Sequence, residues 1–172
     1  MSDYMIPDVC EPAFIPKNPE EFIEKMAVSG KPWTDQYNYP LAALIACACG
    51  ESAFGTSKIY KLTGCPFNLQ KPSHWKYPNC RIIHLKTINK EGEKPKLSPF
   101  CCAESLRDAA RLWCEWIYYF PNTKKKVELE AFRNDAKLFA SNLHLVVFAE
   151  AKKEKTQKFG DLITERNLLR FK

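Results

Sequence analysis

The sequence predicts a mainly α domain of the α+β type that carries one small β-hairpin. Three observations predict it. Apolar residues recur at helical spacing along the 172-residue chain, most clearly over residues 103–120. Residues 39–49 are apolar almost all round, the pattern of a helix lying inside a core. One β-branched stretch, residues 81–88, is followed by a glycine-bearing turn and a return segment. The length suits one compact domain with a sizeable core, and 45% apolar residues is ordinary for a globular protein. Without repeats or linkers, the chain divides into an extended arm, residues 1–18, and one domain, residues 19–172.

The arm is rich in proline and acids and lacks periodicity, with Cys10 as a point of attachment. Asn18-Pro19-Glu20-Glu21 opens the first helix: Asn at the N-cap, Pro at the first helical position, acids in the first turn. Phe22, Ile23, Met26 and Ala27 form its apolar face; Gly30 is read as its end and residues 31–38 as a loop. Tyr39-Pro40 starts the buried helix, which runs to Glu51. Residues 56–62 read as a short helix capped by Thr56 or Ser57. Residues 65–80 contain Pro66, Pro72 and Pro78 and read as irregular.

Residues 81–88 form a strand, 89–93 a turn, and 94–100 a return strand that Pro95 and Pro99 confine to an edge. In the helix over 103–120 the stripe is Leu106, Ala109, Ala110, Trp113, Ile117 and Phe120. Trp116, Tyr118 and Tyr119 lie partly off it. Pro121-Asn122 stops this helix. Lys124-Lys125-Lys126 reads as a solvated turn, 127–142 and 144–155 as two further helices, and Gly160 as the residue before a short last one.

The net charge is +6, which gives either a plain solvated surface or attraction to an anionic polymer. RNA-binding, zinc-finger and helix-turn-helix signatures are absent, which weighs against nucleic acid. No run approaches the ~20 apolar residues of a membrane span. The N-terminus lacks the basic and apolar regions of a Sec signal peptide. Eight cysteines nevertheless suggest an oxidising compartment, with up to four disulfides expected and buried free thiols as the second reading. Metal is disfavoured: Cys47-x-Cys49 and Cys101-Cys102 are not zinc knuckles, and His74, His84 and His144 show no ligand spacing. No cofactor is expected. A Cys–His nucleophile has no accompanying protease signature.

Glu51 is the candidate catalytic residue. It leaves a buried helix at the end that carries the negative pole of the macrodipole. Burial and that pole both favour the protonated carboxyl, which is the form a general acid needs.

The residues around it carry a resemblance. Glu51-Ser52-Ala53-Phe54-Gly55-Thr56-Ser57 resembles the E-S-x-[WF]-G-x-S signature of glycoside hydrolase family 73, bacterial N-acetylglucosaminidases with a lysozyme-like fold that cut peptidoglycan. Gly64-Cys65-Pro66-Phe67-Asn68-Leu69-Gln70 is similar to the N-N-L-F-G-I-K segment that follows it there. Ala103-Glu104-Ser105-Leu106-Arg107-Asp108 is similar to the family's E-S-[IL]-x-D helix start. Order and spacing agree over residues 41–112.

The resemblance implies a lysozyme-like helical domain whose hairpin lobe walls a sugar groove. It implies peptidoglycan glycan strands as substrate and Glu51 as the acid that protonates the leaving oxygen. Ser52 and Gly55 would shape the turn beneath the sugar, and Phe67 would wall the groove. The family's second Glu lies on the first hairpin strand; the matching position, near Ile88, carries no acid. Glu91 and Glu93 in the turn are the nearest candidates, with Asp35 an outside one. The family also places a tyrosine near its C-terminus. Here the match is Phe148, without the hydroxyl, so Tyr118 or Tyr119 are alternatives.

These departures keep a muramidase or lytic transglycosylase open beside the glucosaminidase, and a non-catalytic glycan-binding module beside both. Disulfides without a Sec signal resemble type VI secretion effectors, which are injected into a rival's periplasm. That resemblance implies a cognate immunity protein with a polar or acidic residue in the groove.

Overall fold

A computed structural model of the chain describes residues 9–76, 78–87, 96–146 and 153–171. Helix α1 spans Pro19–Tyr37. Asn18 caps it by accepting from the Glu21 amide at 2.8 Å, and Phe22, Ile23 and Met26 are fully buried. The helix does not stop at Gly30. That glycine packs against Leu41 and Leu44 of the next helix, so its small size serves close approach rather than termination. Pro32 leaves only the Val28 carbonyl without its helical donor, and Val28 is exposed to water. The predicted loop over 31–38 is therefore helix up to Asn38, which closes it in the left-handed region at φ 54°.

Helix α2, Leu41–Ser52, is buried at every position except Gly50. It is the hub of the domain, packed by α1, α6 and α7. Helix α3, Lys58–Thr63, is capped by Ser57. Strands β1, Ile82–Thr87, and β2, Lys96–Cys101, pair antiparallel from Ile82 opposite Cys101 to Thr87 opposite Lys96. The predicted turn between them lies outside the described residues. Residues 69–71 run along the other edge of β2: the Lys71 amide donates to the Pro99 carbonyl and the Cys101 amide to the Leu69 carbonyl. Pro99 has no N–H to give, and this edge asks only for its carbonyl.

Helix α4, Leu106–Tyr118, starts at the Ser105 cap and buries the predicted stripe through Ile117. The predicted helix over 127–142 is two helices. α5 is Lys124–Glu130, so the lysine run is its first turn behind the Thr123 cap. α6 is Ala136–Ser141, restarted by Asp135, whose carboxylate accepts from the Leu138 amide. Of the helix predicted over 144–155, the described residues show Leu143–Leu145 as a short 3₁₀ turn and residues 153–155 as the start of the next helix, while residues 147–152 lie outside the described residues. Helix α7, Lys153–Glu165, contains Gly160 instead of following it. The last short piece is a 3₁₀ turn, Leu168–Arg170.

A Cβ at Gly160 would fall onto Ser141 Oγ and lie 3.1 Å from the Lys137 carbonyl oxygen. α6 and α7 thus cross at this point. Gly160→Ala is expected to destabilise the domain by about 1–3 kcal/mol through overpacking, read as a lower urea midpoint.

One disulfide forms, Cys10–Cys102, and it fastens the arm. Of the up to four disulfides expected, one is formed: Cys47, Cys49, Cys65, Cys80, Cys101 and Cys114 are free thiols, and all but Cys80 are buried. Cys47 and Cys49 sit inside α2 and Cys114 inside α4, where they pack as small apolar residues. Burial pushes the Cys49 and Cys65 thiols up to about 12. Among the described residues no helix is long and apolar enough to cross a membrane. No group of three or more His, Cys, Asp or Glu among them could hold a metal ion.

Candidate active site

Glu51 stands in the last turn of α2, with its side chain 2% exposed. The chain reverses directly after it. Ser52 Oγ donates to the Ala48 carbonyl at 2.6 Å and accepts from the Gly55 amide at 2.8 Å. Ala53, Phe54 and Gly55 then hold φ of 48°, 55° and 77° in succession. Ala53 and Phe54 pay the steric cost of that region, and the amides of Thr56 and Ser57 repay it at the Ser52 carbonyl. This turn fixes the end of α2 and so the direction of Glu51.

Two other elements reach the carboxylate. Asn68 sits in the left-handed region at φ 51°, where Asn is the side chain most readily accepted after glycine. Its Nδ2 donates to the Glu51 carbonyl at 3.0 Å and to Oε2 at 2.9 Å. One amide therefore caps an open carbonyl of the helix end and holds the carboxylate. Asn68 Oδ1 is buried with no hydrogen-bond partner. On the other side Lys155 Nζ, in the first turn of α7, lies 2.6 Å from Oε1. One turn on, Phe159 packs against Gly50, where a Cβ would strike its ring. Gly50 thus lets α7 approach α2 closely enough for Lys155 to reach. The lysine side chain is 48% exposed, so it faces the carboxylate from the solvent side. Burial of Glu51 is thereby offset by an ammonium and an amide donor, where the sequence suggested burial and the helix pole alone.

The other predicted residues fall elsewhere. Ser52 is fully buried and engaged in the turn. Gly55 is packed by Phe22 and Pro16, so its close approach is to the core. Phe67 is fully buried, its ring 5.9 Å from that of Trp113. Tyr118 is exposed, in edge contact with Tyr37 and Tyr119 at 5.2 Å each and beneath Lys126 Nζ. Asp35 is on α1, paired with Lys31 at 3.0 Å on the surface. Glu91, Glu93 and Phe148 lie outside the described residues.

The structure thus brings Asn68 and Lys155 to Glu51, and neither was predicted. Asn68 had a signal: it occupies the glycine position of the N-N-L-F-G-I-K segment, and Asn is what replaces glycine at positive φ. Lys155 had none, being one lysine among several in residues 152–158.

No protein-family model matches the sequence, and no curated protein matches it. Solved structures do. The catalytic domain of the autolysin Auto from Listeria monocytogenes superposes with a TM-score of 0.71 at 19% identity, over 93% of this chain and 90% of that one. A peptidoglycan hydrolase from Sphingomonas sp. A1 gives 0.64 at 18% identity, over 87% and 92%. A type VI secretion system effector–immunity complex from Pseudomonas protegens gives 0.58 at 17% identity, over 88% and 94%. The fold is like that of family 73 glycoside hydrolases. It is an α+β lysozyme-like fold with the hairpin as its small sheet. At these identities the likeness concerns the fold.

Proposed function

We propose that this chain is a peptidoglycan glycoside hydrolase that cuts the β-1,4 glycan backbone, with Glu51 as the proton donor to the leaving oxygen. The observation that carries the reading is a single buried carboxyl at the end of the hub helix, held by Asn68 and Lys155, in a fold shared with peptidoglycan hydrolases. Lys155 covers Oε1 from the solvent side and is half exposed. A glycan strand entering from that side displaces the ammonium and brings its glycosidic oxygen to the Glu51 carboxyl. The net charge of +6 favours approach to a wall that bears peptide carboxylates.

The bond we infer is the one after N-acetylglucosamine, as the Glu51–Ser57 motif suggests. A single-Glu muramidase or transglycosylase is the second reading. It is favoured by the fact that the polar partners of Glu51 among the described residues are an amide and an ammonium, with no second carboxylate. We place the site of action in the periplasm of a target bacterium, with a cognate immunity protein as partner. The likeness to an effector–immunity complex supports this.

Mass spectrometry of fragments from purified sacculi tests the reading. Reducing N-acetylglucosamine ends establish a glucosaminidase, reducing N-acetylmuramic acid ends a muramidase, and anhydro ends a transglycosylase. Sacculi bound but left whole would make the chain a binding module. Asn68→Ala removes a hydrogen bond to a charged group, worth about 1.5–3 kcal/mol. It is expected to lower kcat by about 10- to 100-fold with KM nearly unchanged; an unchanged kcat would leave Asn68 a helix cap only.

A further inference from the structure

Away from Glu51, the reactive cluster of the molecule is built of sulfur. Successive residues at a strand end face opposite ways, so Cys101 and Cys102 part at the end of β2. Cys102 turns to the arm and is bonded to Cys10. Cys101 turns inward, fully buried, into the core cluster against which Cys80 also packs; it pairs with Ile82 across the hairpin, two residues from Cys80, and the two thiols interact. Cys80, just before β1, is the one free cysteine among the described residues that is not buried. It lines a cavity of about 570 Å³ together with Arg81, Cys102, Asp108 and Arg111. An accessible thiol therefore interacts with a buried one, and the buried one adjoins a formed disulfide in sequence.

We propose that Cys80 and Cys101 are a second disulfide site, in which Cys80 attacks an external disulfide and Cys101 resolves the product. The co-reactant is any disulfide R–S–S–R that enters the cavity. The Cys80 thiolate attacks one of its sulfurs; the R–S–S–R bond breaks, a Cys80–S–S–R bond forms, and RS⁻ leaves. Cys101 gives its proton to water and attacks Cys80 Sγ, forming Cys80–Cys101 and releasing the second RS⁻. Two protein thiols are oxidised and one external disulfide is reduced to two thiols.

The surroundings divide the roles. The interaction with Cys101 holds the Cys80 thiol below its ordinary range, and Arg111 on α4 adds to this against burial and Asp108. The same interaction, then burial, pushes Cys101 well above its ordinary range. The thiolate, which is the nucleophile, therefore resides on the accessible partner. Cys80 ends the irregular segment that carries Asn68, and the Cys101 amide already donates to the Leu69 carbonyl beside it. The new bond fastens both ends of that segment to β2. None of this depends on the glycan reading.

The test is peptide mapping of the folded protein after incubation with oxidised glutathione, digested without reduction. The expected result is a Cys80–Cys101 linked peptide beside the Cys10–Cys102 one. Before oxidation, iodoacetamide should label Cys80 at least about tenfold faster than Cys47, Cys49, Cys65 and Cys114, as thiolate character and access dictate. Cys101→Ser should trap glutathione on Cys80 as a lasting mixed disulfide, and Cys80→Ser should leave Cys101 unmodified. Cys80 and Cys101 both staying reduced in wild type overturns the proposal, as does linkage of Cys80 to any other cysteine. The wild-type map decides even where a variant fails to fold.

Discussion

Glu51→Gln is expected to lower glycan cleavage by about 10²- to 10⁴-fold, the range that a positioned general acid contributes. The substitution keeps the volume of a side chain that is 2% exposed, so no cavity opens. Its amide oxygen can still accept from Asn68 Nδ2. What it loses is the proton and the pairing with Lys155, whose half-exposed ammonium is solvated when it is released. The variant should therefore fold, bind sacculi as well as wild type, and fail in turnover. The measurement is the initial rate of muropeptide release, with circular dichroism and pelleting with sacculi as controls. Glu51→Asp separates acid from geometry: it keeps a carboxyl but withdraws it from Asn68. A displacement of about 1 Å costs on the order of 10²-fold. If Glu51→Gln retains full activity, the chemistry lies elsewhere in the chain.

What the sequence shows and what it hides divide along a physical line. Local rules reached their targets: the Asn18 cap, the Ser57 cap and the all-round apolar run of α2 are each decided within a few residues. The position of Glu51 at the buried end of α2 was legible, because a carboxylate at the end of a core helix is a local anomaly. The errors came from contacts that cross the chain. Gly30 read as a helix end and Gly160 as the residue before a helix, yet each is the small residue at which two helices touch. Glycine has the same letter in both roles, and only the partner helix tells them apart. The Lys155–Glu51 pair joins helices far apart in sequence, so no window contains it. The cysteines misled for a related reason: composition suggests a redox compartment, but burial inside α2 and α4 keeps Cys47, Cys49 and Cys114 unpaired. Cys10 was read as an anchor and is one.

The largest expected effect on stability is at Trp113. It is fully buried on the core face of α4, and its ring lies 6.2 Å from that of Tyr39, 5.9 Å from Phe67 and 6.4 Å from Phe139. Its indole N–H is buried without a hydrogen-bond partner, so truncation removes packing rather than a hydrogen bond. Trp113→Ala should cost about 3–5 kcal/mol, a large share of the ~5–15 kcal/mol that holds a domain together. For a domain of this size the melting temperature falls by roughly 6–20 °C. The consequence for function follows from the next residue along. Phe67 rests on Trp113, and Asn68 extends from Phe67 to the Glu51 carboxylate. A cavity under Phe67 loosens the backbone that aims the Asn68 amide, so turnover should fall well below the new melting temperature, with KM little changed. Trp116→Ala, at the rim of the same helix, should cost less stability and leave turnover alone. If Trp113→Ala melts early yet turns over normally at low temperature, the Ser52–Ser57 turn by itself holds Glu51, and the Phe67 wall serves only the core.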